Sequence, residues 1–194
     1  AIAYEGRVLA REDMSQQAGH ASDLLPTITA VLDEAGVSRE QLTDLVVGEG
    51  PGSFTGVRVA AATAKGLSRG LSVPLWAVSS LAAAAMAAEA GTVRYALFDA
   101  RAERVYGACY SVDRNRVQTL ISPHGGQLGD VLGGDVPCGS VFVGDASRRH
   151  REIIEARGFP VVEPDPEASM AEGLIRYWIA QPTGFRPVPD TGIW

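Results

Sequence analysis

The stretch Gly48-Glu49-Gly50-Pro51-Gly52-Ser53-Phe54-Thr55-Gly56-Val57-Arg58 decides how the rest of this chain is read. Before it stands Leu45-Val46-Val47, a short apolar run of the kind that makes a buried strand; after it, helical spacing continues to about residue 69. Glycines and a proline at a strand-to-helix turn permit positive φ or close backbone approach. Such a turn can also offer the N–H groups of a helix start to a phosphate. Neither common nucleotide fingerprint is met. A Walker A loop closes on Gly-Lys-Ser/Thr, whereas Gly56 is followed by Val57-Arg58, and Gly50-Pro51-Gly52 continues as Ser53-Phe54-Thr55 where GxGxxG requires a glycine. Spacing alone leaves a ligand cradle and a plain tight turn both open.

The helix that follows has an uncommon surface. Gly56, Ala60, Ala64 and Ser68 recur every fourth residue, with Ala62, Gly66 and Gly70 in a parallel row. Small side chains in rows let a second helix approach closely. A glycine inside a helix costs about 1 kcal/mol relative to alanine. Gly66 therefore implies close packing, either within the chain or against a partner.

Working outward, polar Glu5-Gly6-Arg7 splits residues 1–9 into a hairpin. Leu24, Leu25, Ile28, Val31 and Leu32 mark a helix over 21–35, with Gly36 at its C-terminal cap. Ser38 and Gln41 suit a capping box. A strand is expected over 72–78, then an alanine-rich helix capped by Ser79 or Ser80. Strand–helix–strand alternation implies a sheet covered by helices. In the second half, residues 94–98 and 105–110 read as a hairpin around Asp99-Ala100-Arg101-Ala102-Glu103-Arg104. A third strand is expected at 117–121, an irregular excursion at 123–139, and a strand at 140–143. Beyond these, a helix is expected at 148–157, a strand at 161–162 and a helix at 168–179. Two lobes, residues 1–91 and 92–194, divide near Gly91, with the tail returning to the first lobe.

Composition excludes several classes. The 17 basic against 23 acidic residues give a net charge of −6, so a nucleic-acid surface on this chain alone is not expected. Arg148-Arg149-His150-Arg151 is the nearest thing to a basic run and reads as a solvated helix face. No apolar run approaches the roughly 20 residues that span a bilayer. No basic-plus-apolar leader opens the chain, which points to the cytoplasm. Cys109 and Cys138 lack ligand spacing and read as buried reduced thiols. His20, His124 and His150 are too scattered to suggest a metal site. Asp99 with Arg101 is the candidate polar site. It is a base or magnesium ligand on one reading; on the other it is a strand-end turn with Arg101 or Arg104 as ion partner.

Three motifs together carry a resemblance: Gly50 to Arg58 as quoted, Ala64-Lys65-Gly66-Leu67, and Val78-Ser79-Ser80-Leu81. His20 with Leu24-Leu25-Pro26, and Asp99-Ala100-Arg101 with Val105-Tyr106, extend it. The chain resembles the TsaB (YeaZ) family over residues 1–110, and only in outline beyond. That resemblance implies an α/β, actin-like (ASKHA, duplicated ribonuclease-H-like) fold whose two lobes hold mixed sheets covered by helices. It implies a non-catalytic subunit that pairs with and activates TsaD, with the ATPase TsaE. Together they transfer a threonylcarbamoyl group to the adenosine beside the tRNA anticodon. A homodimer in isolation, and ATP or ADP in the complex but none on this chain alone, belong to the same expectation.

The implied partner surface comprises His20, Leu24, Leu25, Ile28, Gly56, Ala60, Ala64 and Lys65, beside the loop of Gly50, Pro51, Gly52, Ser53, Phe54, Thr55, Gly56 and Arg58. The related catalytic subunit carries a metal-binding histidine pair after the next strand; here that place reads Val78-Ser79-Ser80-Leu81-Ala82. No catalytic or metal residues are therefore assigned. A stand-alone actin-fold ATPase or phosphotransferase is the alternative. Members begin with one more strand than Ala1-Ile2-Ala3 supplies, and the tail Gly184-Phe185-Arg186-Pro187 departs from the family's ending.

Overall fold

A computed structural model describes residues 1–13, 21–88, 91–113, 116–162, 169–180 and 186–189. Strands β1 (Ile2–Tyr4) and β2 (Arg7–Ala10) pair antiparallel through a turn at Glu5 and Gly6, whose φ values are 49° and 78°. Two consecutive positive φ angles match the twist of a tight hairpin. Helix α1 (Leu24–Ala35) follows a 3₁₀ turn at Ala21–Asp23 and stops at Gly36, φ 65°, whose N–H reaches the Asp33 carbonyl. The Ser38 N–H donates to Gln41 Oε1 at 2.8 Å, one half of the expected capping box.

Strand β3 (Leu45–Gly48), helix α2 (Phe54–Leu71) and strand β4 (Leu75–Val78) make a parallel crossover unit. The strand expected from residue 72 begins only at Leu75, because Ser72 takes φ 56° and closes α2. Helix α3 (Ser80–Ala87) starts on Ser79, whose Oγ accepts the Ala82 N–H at 3.4 Å.

The second half holds a four-stranded sheet ordered β7-β6-β5-β8, from β5 (Val93–Asp99), β6 (Arg104–Asp113), β7 (Arg116–Gln127) and β8 (Ser140–Val143). Strands β5 to β7 form an antiparallel meander and β8 lies parallel to β5, with Val161 bridging Phe142 in parallel on the far side. The first half repeats parts of this plan. The β1–β2 hairpin answers β6–β7 and the β3–β4 pair answers β8 with Val161, while no strand among the described residues answers β5.

Two expectations fail here. Residues 123–139 are not irregular: β7 runs on to Gln127, and α4 (Leu128–Gly133) follows. Pro123 is tolerated because β7 is the edge of its sheet, where one ladder donor can be missing. The helix expected over 148–157 starts earlier and is broken, as α5 (Asp145–Arg149) and α6 (Arg151–Glu155) meet at His150, φ −111°. The last helix, α7 (Met170–Ala180), lies close to its expected range, residue 168 being outside the described residues, as are residues 184 and 185 of the tail.

Alternation along β5 divides two cores. Tyr95 and Leu97 face Leu128, Val131, Leu132, Phe142 and Ile154, while Ala96 faces α3 and α7. That second core also takes in Val78, Tyr110, Val112 and Tyr177. Helix α3 packs on β5, β6 and α7, and α7 packs in turn on β3 and β4. Leu81 to Met86 are all buried, so α3 is covered on every side and its alanines keep the layer thin. Gly173 of α7 completes that contact: a Cβ there would stand 2.2 Å from the Ala83 carbonyl oxygen. Near the chain's far end, the Val188 N–H donates to the Leu75 carbonyl at 2.8 Å, on the edge of β4.

Candidate functional site

The glycine-rich turn is built from its own hydrogen bonds. Ser53 Oγ accepts the Gly56 N–H at 3.1 Å and so caps α2. Ser80 Oγ accepts the Gly50 N–H at 3.2 Å, the Ser80 N–H donates to the Gly50 carbonyl, and the Gly50–Pro51 peptide is cis. Glu49 N–H continues the ladder to Val78. Of the two readings left open by spacing, the tight turn is the one these contacts describe. Serines 79 and 80 each have a structural task, capping α3 and holding Gly50. The place of the catalytic subunit's histidine pair therefore holds no imidazole and does not fit a metal held that way. Among the described residues, no group of three or more His, Cys, Asp and Glu side chains gathers.

Helix α2 has 18 residues, of which Ala61 alone is buried. Ala60, Ala64 and Lys65 are half-buried, and Gly56 is exposed. A Cβ placed on Gly66 or Gly70 would meet nothing within 4 Å. Packing among the described residues thus gives no reason for either glycine. Phe54, 71% exposed, lies under the Arg58 guanidinium, whose carbon stands 3.7 Å from the ring centroid. On α1, Leu25 is 53% exposed, while Leu24 and Ile28 are half-buried and Val31 faces inward. His20 lies outside the described residues.

Asp99 ends β5 at a tight turn. Its Oδ1 accepts the Arg101 N–H at 2.8 Å, and its carboxylate pairs with Arg149. Neither Arg101 nor Arg104 is its ion partner; the chain reaches fifty residues on for one. The Arg101 N–H, and then Arg149, hold the Asp99 carboxyl below its ordinary value. The Asp99 N–H donates in turn to Asp145 Oδ1 at 3.2 Å, joining the turn to the start of α5. Arg101, Ala102 and Glu103 take φ of 65°, 49° and 58°, three consecutive left-handed residues without a glycine. Each such residue costs on the order of 1 kcal/mol, so the surrounding bonds must hold the turn. Sequence gave no sign of this strain, since Asn and Gly are absent from the turn.

The two lobes face each other across a cleft of about 1270 Å³. Gly52, Ser53, Thr55 and Ser80 line it from the first lobe, and Asp99, Arg101, Tyr106, Asp145 and Arg148 from the second. Cys109 is buried and its thiol is pushed up by that burial, whereas Cys138 is exposed, against the expectation of two buried thiols. His124 bonds the Tyr95 hydroxyl through Nε2 at 3.2 Å and stands edge-on to its ring.

Comparison with known proteins agrees with this geometry. The model of the family described as "TsaD: tRNA N6-adenosine threonylcarbamoyltransferase" matches residues 7–161. The chain is 29% identical to the tRNA threonylcarbamoyladenosine biosynthesis protein TsaB of Bacillus subtilis, across 80% of this chain and 69% of that protein. Against the TsaB of Escherichia coli it is 39% identical, across 89% of this chain and 61% of that protein. With the TsaB of Haemophilus influenzae it shares 39% identity across 55% of this chain and 46% of the relative, so it spans about half to two thirds of these curated relatives. The solved structure of YeaZ from Pseudomonas aeruginosa superposes with a TM-score of 0.68 at 26% identity, covering 87% of this chain and 80% of that one. With the two-lobed arrangement above, these likenesses give the actin-like fold. The chain belongs to the TsaD family, within its TsaB (YeaZ) branch.

Proposed function

We propose that this chain is the non-catalytic partner of a TsaD-type subunit in threonylcarbamoyladenosine synthesis on tRNA. It pairs with that subunit through α2 and α1 and activates it for transfer to the adenosine beside the anticodon. The observation that carries this reading is the open face of α2. Among the described residues nothing fills the space at Gly66 and Gly70, and only Ala61 of that helix is buried. Glycine in an exposed helix is costly without a compensating contact. A partner helix seated at short distance on the row of Ala62, Gly66 and Gly70 supplies one. Exposed Leu25 and Phe54 extend the apolar surface. The curated relatives named for threonylcarbamoyladenosine biosynthesis support the pathway. In the assembly, a TsaE-type ATPase, ATP or ADP, and tRNA are brought by the partners; alone, the chain forms a homodimer through the same face. No described helix is long and apolar enough to cross a membrane, and the cytoplasm, where tRNA is modified, is the proposed location.

The test is co-purification with the TsaD of the same source, beside an Ala62→Arg variant on the exposed row. A complex that modifies tRNA and is lost in the variant, with the variant's fold intact by circular dichroism, supports the reading. Full modification by TsaD without this chain, or a complex indifferent to the arginine, overturns it.

A further inference from the structure

We infer that Arg186-Pro187-Val188-Pro189 guards the outer edge of β4, keeping that edge from pairing with the same edge of a second copy of this chain. The bonds of β4 show on which side it is open. The Leu45 N–H donates to the Pro74 carbonyl at 3.0 Å and the Glu49 N–H to the Val78 carbonyl at 2.9 Å, so residues 74 and 78 turn their carbonyls to β3. Backbone groups alternate from one side of an extended chain to the other. Leu75 and Ala77 therefore turn theirs to the opposite side, where no strand stands among the described residues. Such a side is a template for another strand, and Leu75-Trp76-Ala77-Val78 carries no charge to repel one.

The tail meets that side through the Val188 N–H, which donates to the Leu75 carbonyl at 2.8 Å. A proline drives the residue before it to an extended conformation, so Pro187 and Pro189 keep Arg186 and Val188 extended. By the same alternation, where the Val188 N–H points in toward β4, the nitrogens of residues 187 and 189 point out. Both belong to prolines and carry no hydrogen. The tail thus occupies an acceptor of β4 and offers no donor at Pro187 or Pro189, which are both exposed. A segment that bonds inward and is blank outward ends a sheet, and proline serves that purpose on edge strands. A groove of about 550 Å³ runs between this segment and Ser68, Arg69 and Ser72 of α2. The segment stands off α2 across that groove, so the edge of β4 is what it covers. This inference does not rest on the partner face of α2.

Sedimentation velocity of the full chain tests it, in an Ala62→Arg background so that pairing through α2 does not contribute. Val188→Pro removes the inward donor. Pro187→Ala together with Pro189→Ala adds two outward donors and leaves the bond to Leu75 in place. Each change should raise self-association about tenfold or more, with the fold intact by circular dichroism. Val188→Ala keeps the N–H and should behave as the parent chain. Hydrogen exchange supplies a reading that needs no variant: the Val188 amide should exchange at least about tenfold more slowly than in an unstructured peptide. A Val188 amide that exchanges freely overturns the inference. So does self-association that either the Val188→Pro or the paired proline variant leaves unchanged, or that Val188→Ala raises equally.

Discussion

Gly173 of α7 lies against Ala83 of α3 so closely that a methyl group on it would sit 2.2 Å from the Ala83 carbonyl oxygen and 3.1 Å from the Ala87 Cβ. The obstacle is backbone, so it cannot swing away. Gly173→Ala is expected to cost roughly 3 kcal/mol or more, read as a lowered urea midpoint with the slope unchanged.

Gly66 gives the opposite result. Its site is open and helical, so Gly66→Ala should raise stability of the isolated chain by roughly 0.5–1 kcal/mol. The same methyl group intrudes on a closely seated partner helix, and affinity for the TsaD-type subunit should fall. A variant that is more stable and also pairs at full strength would move the interface off this face.

Tyr95 and Tyr110 are pushed up to about 12 from the ordinary 10.0, chiefly by burial. Both are thus favoured as neutral phenols in the folded chain. Their contribution to stability is whole below pH 10.0 and is lost as pH rises through about 12. Tyrosinate absorbance should rise in two stages, the later one coinciding with loss of near-ultraviolet circular dichroism.

The Asp99 carboxyl is held low, first by the Arg101 N–H and then by Arg149. A depressed carboxyl stabilises above its ordinary value of 3.8 and loses that contribution as pH falls below it. Asp99→Asn should flatten the acid limb of a plot of urea midpoint against pH and leave the alkaline limb alone.

Ser53 caps α2 through the Gly56 N–H. Ser53→Ala should cost about 1 kcal/mol, measured by urea unfolding, while Ser53→Asp should restore most of that loss.

The first lobe was largely legible because its signals are local. Gly36, Ser53 and Ser79 stop or start helices by short-range hydrogen bonds, and these read directly from residue type. Leu45-Val46-Val47 became β3 for the same reason. Residues 123–127 did not read as strand because proline and glycine are penalised by composition, while their position on a sheet edge is a tertiary fact. The Arg149–Asp99 pair and the bond of Arg11 to the buried Glu172, at 3.0 Å, span separations no local pattern encodes, whereas Arg176 meets the same Glu172 one helical turn on. Gly173 alone in an amphipathic helix was the one available sign of the α3–α7 contact. The open space at Gly66 could not be read from spacing, since small residues mark close approach without saying to what.

The position of α7 has a consequence for how the chain is made. Met170–Ala180 pack on α3, β3 and β4, which all leave the ribosome well before α7, the start of α3 (Ser80) preceding Met170 by 90 residues and that of β3 (Leu45) by 125. During synthesis the apolar side of α3 therefore waits for a helix not yet translated, and the first lobe cannot complete its core in the order in which it emerges. Nascent chains halted before residue 170 should stay protease-sensitive through α3, and should become resistant in a single step once α7 has cleared the exit tunnel.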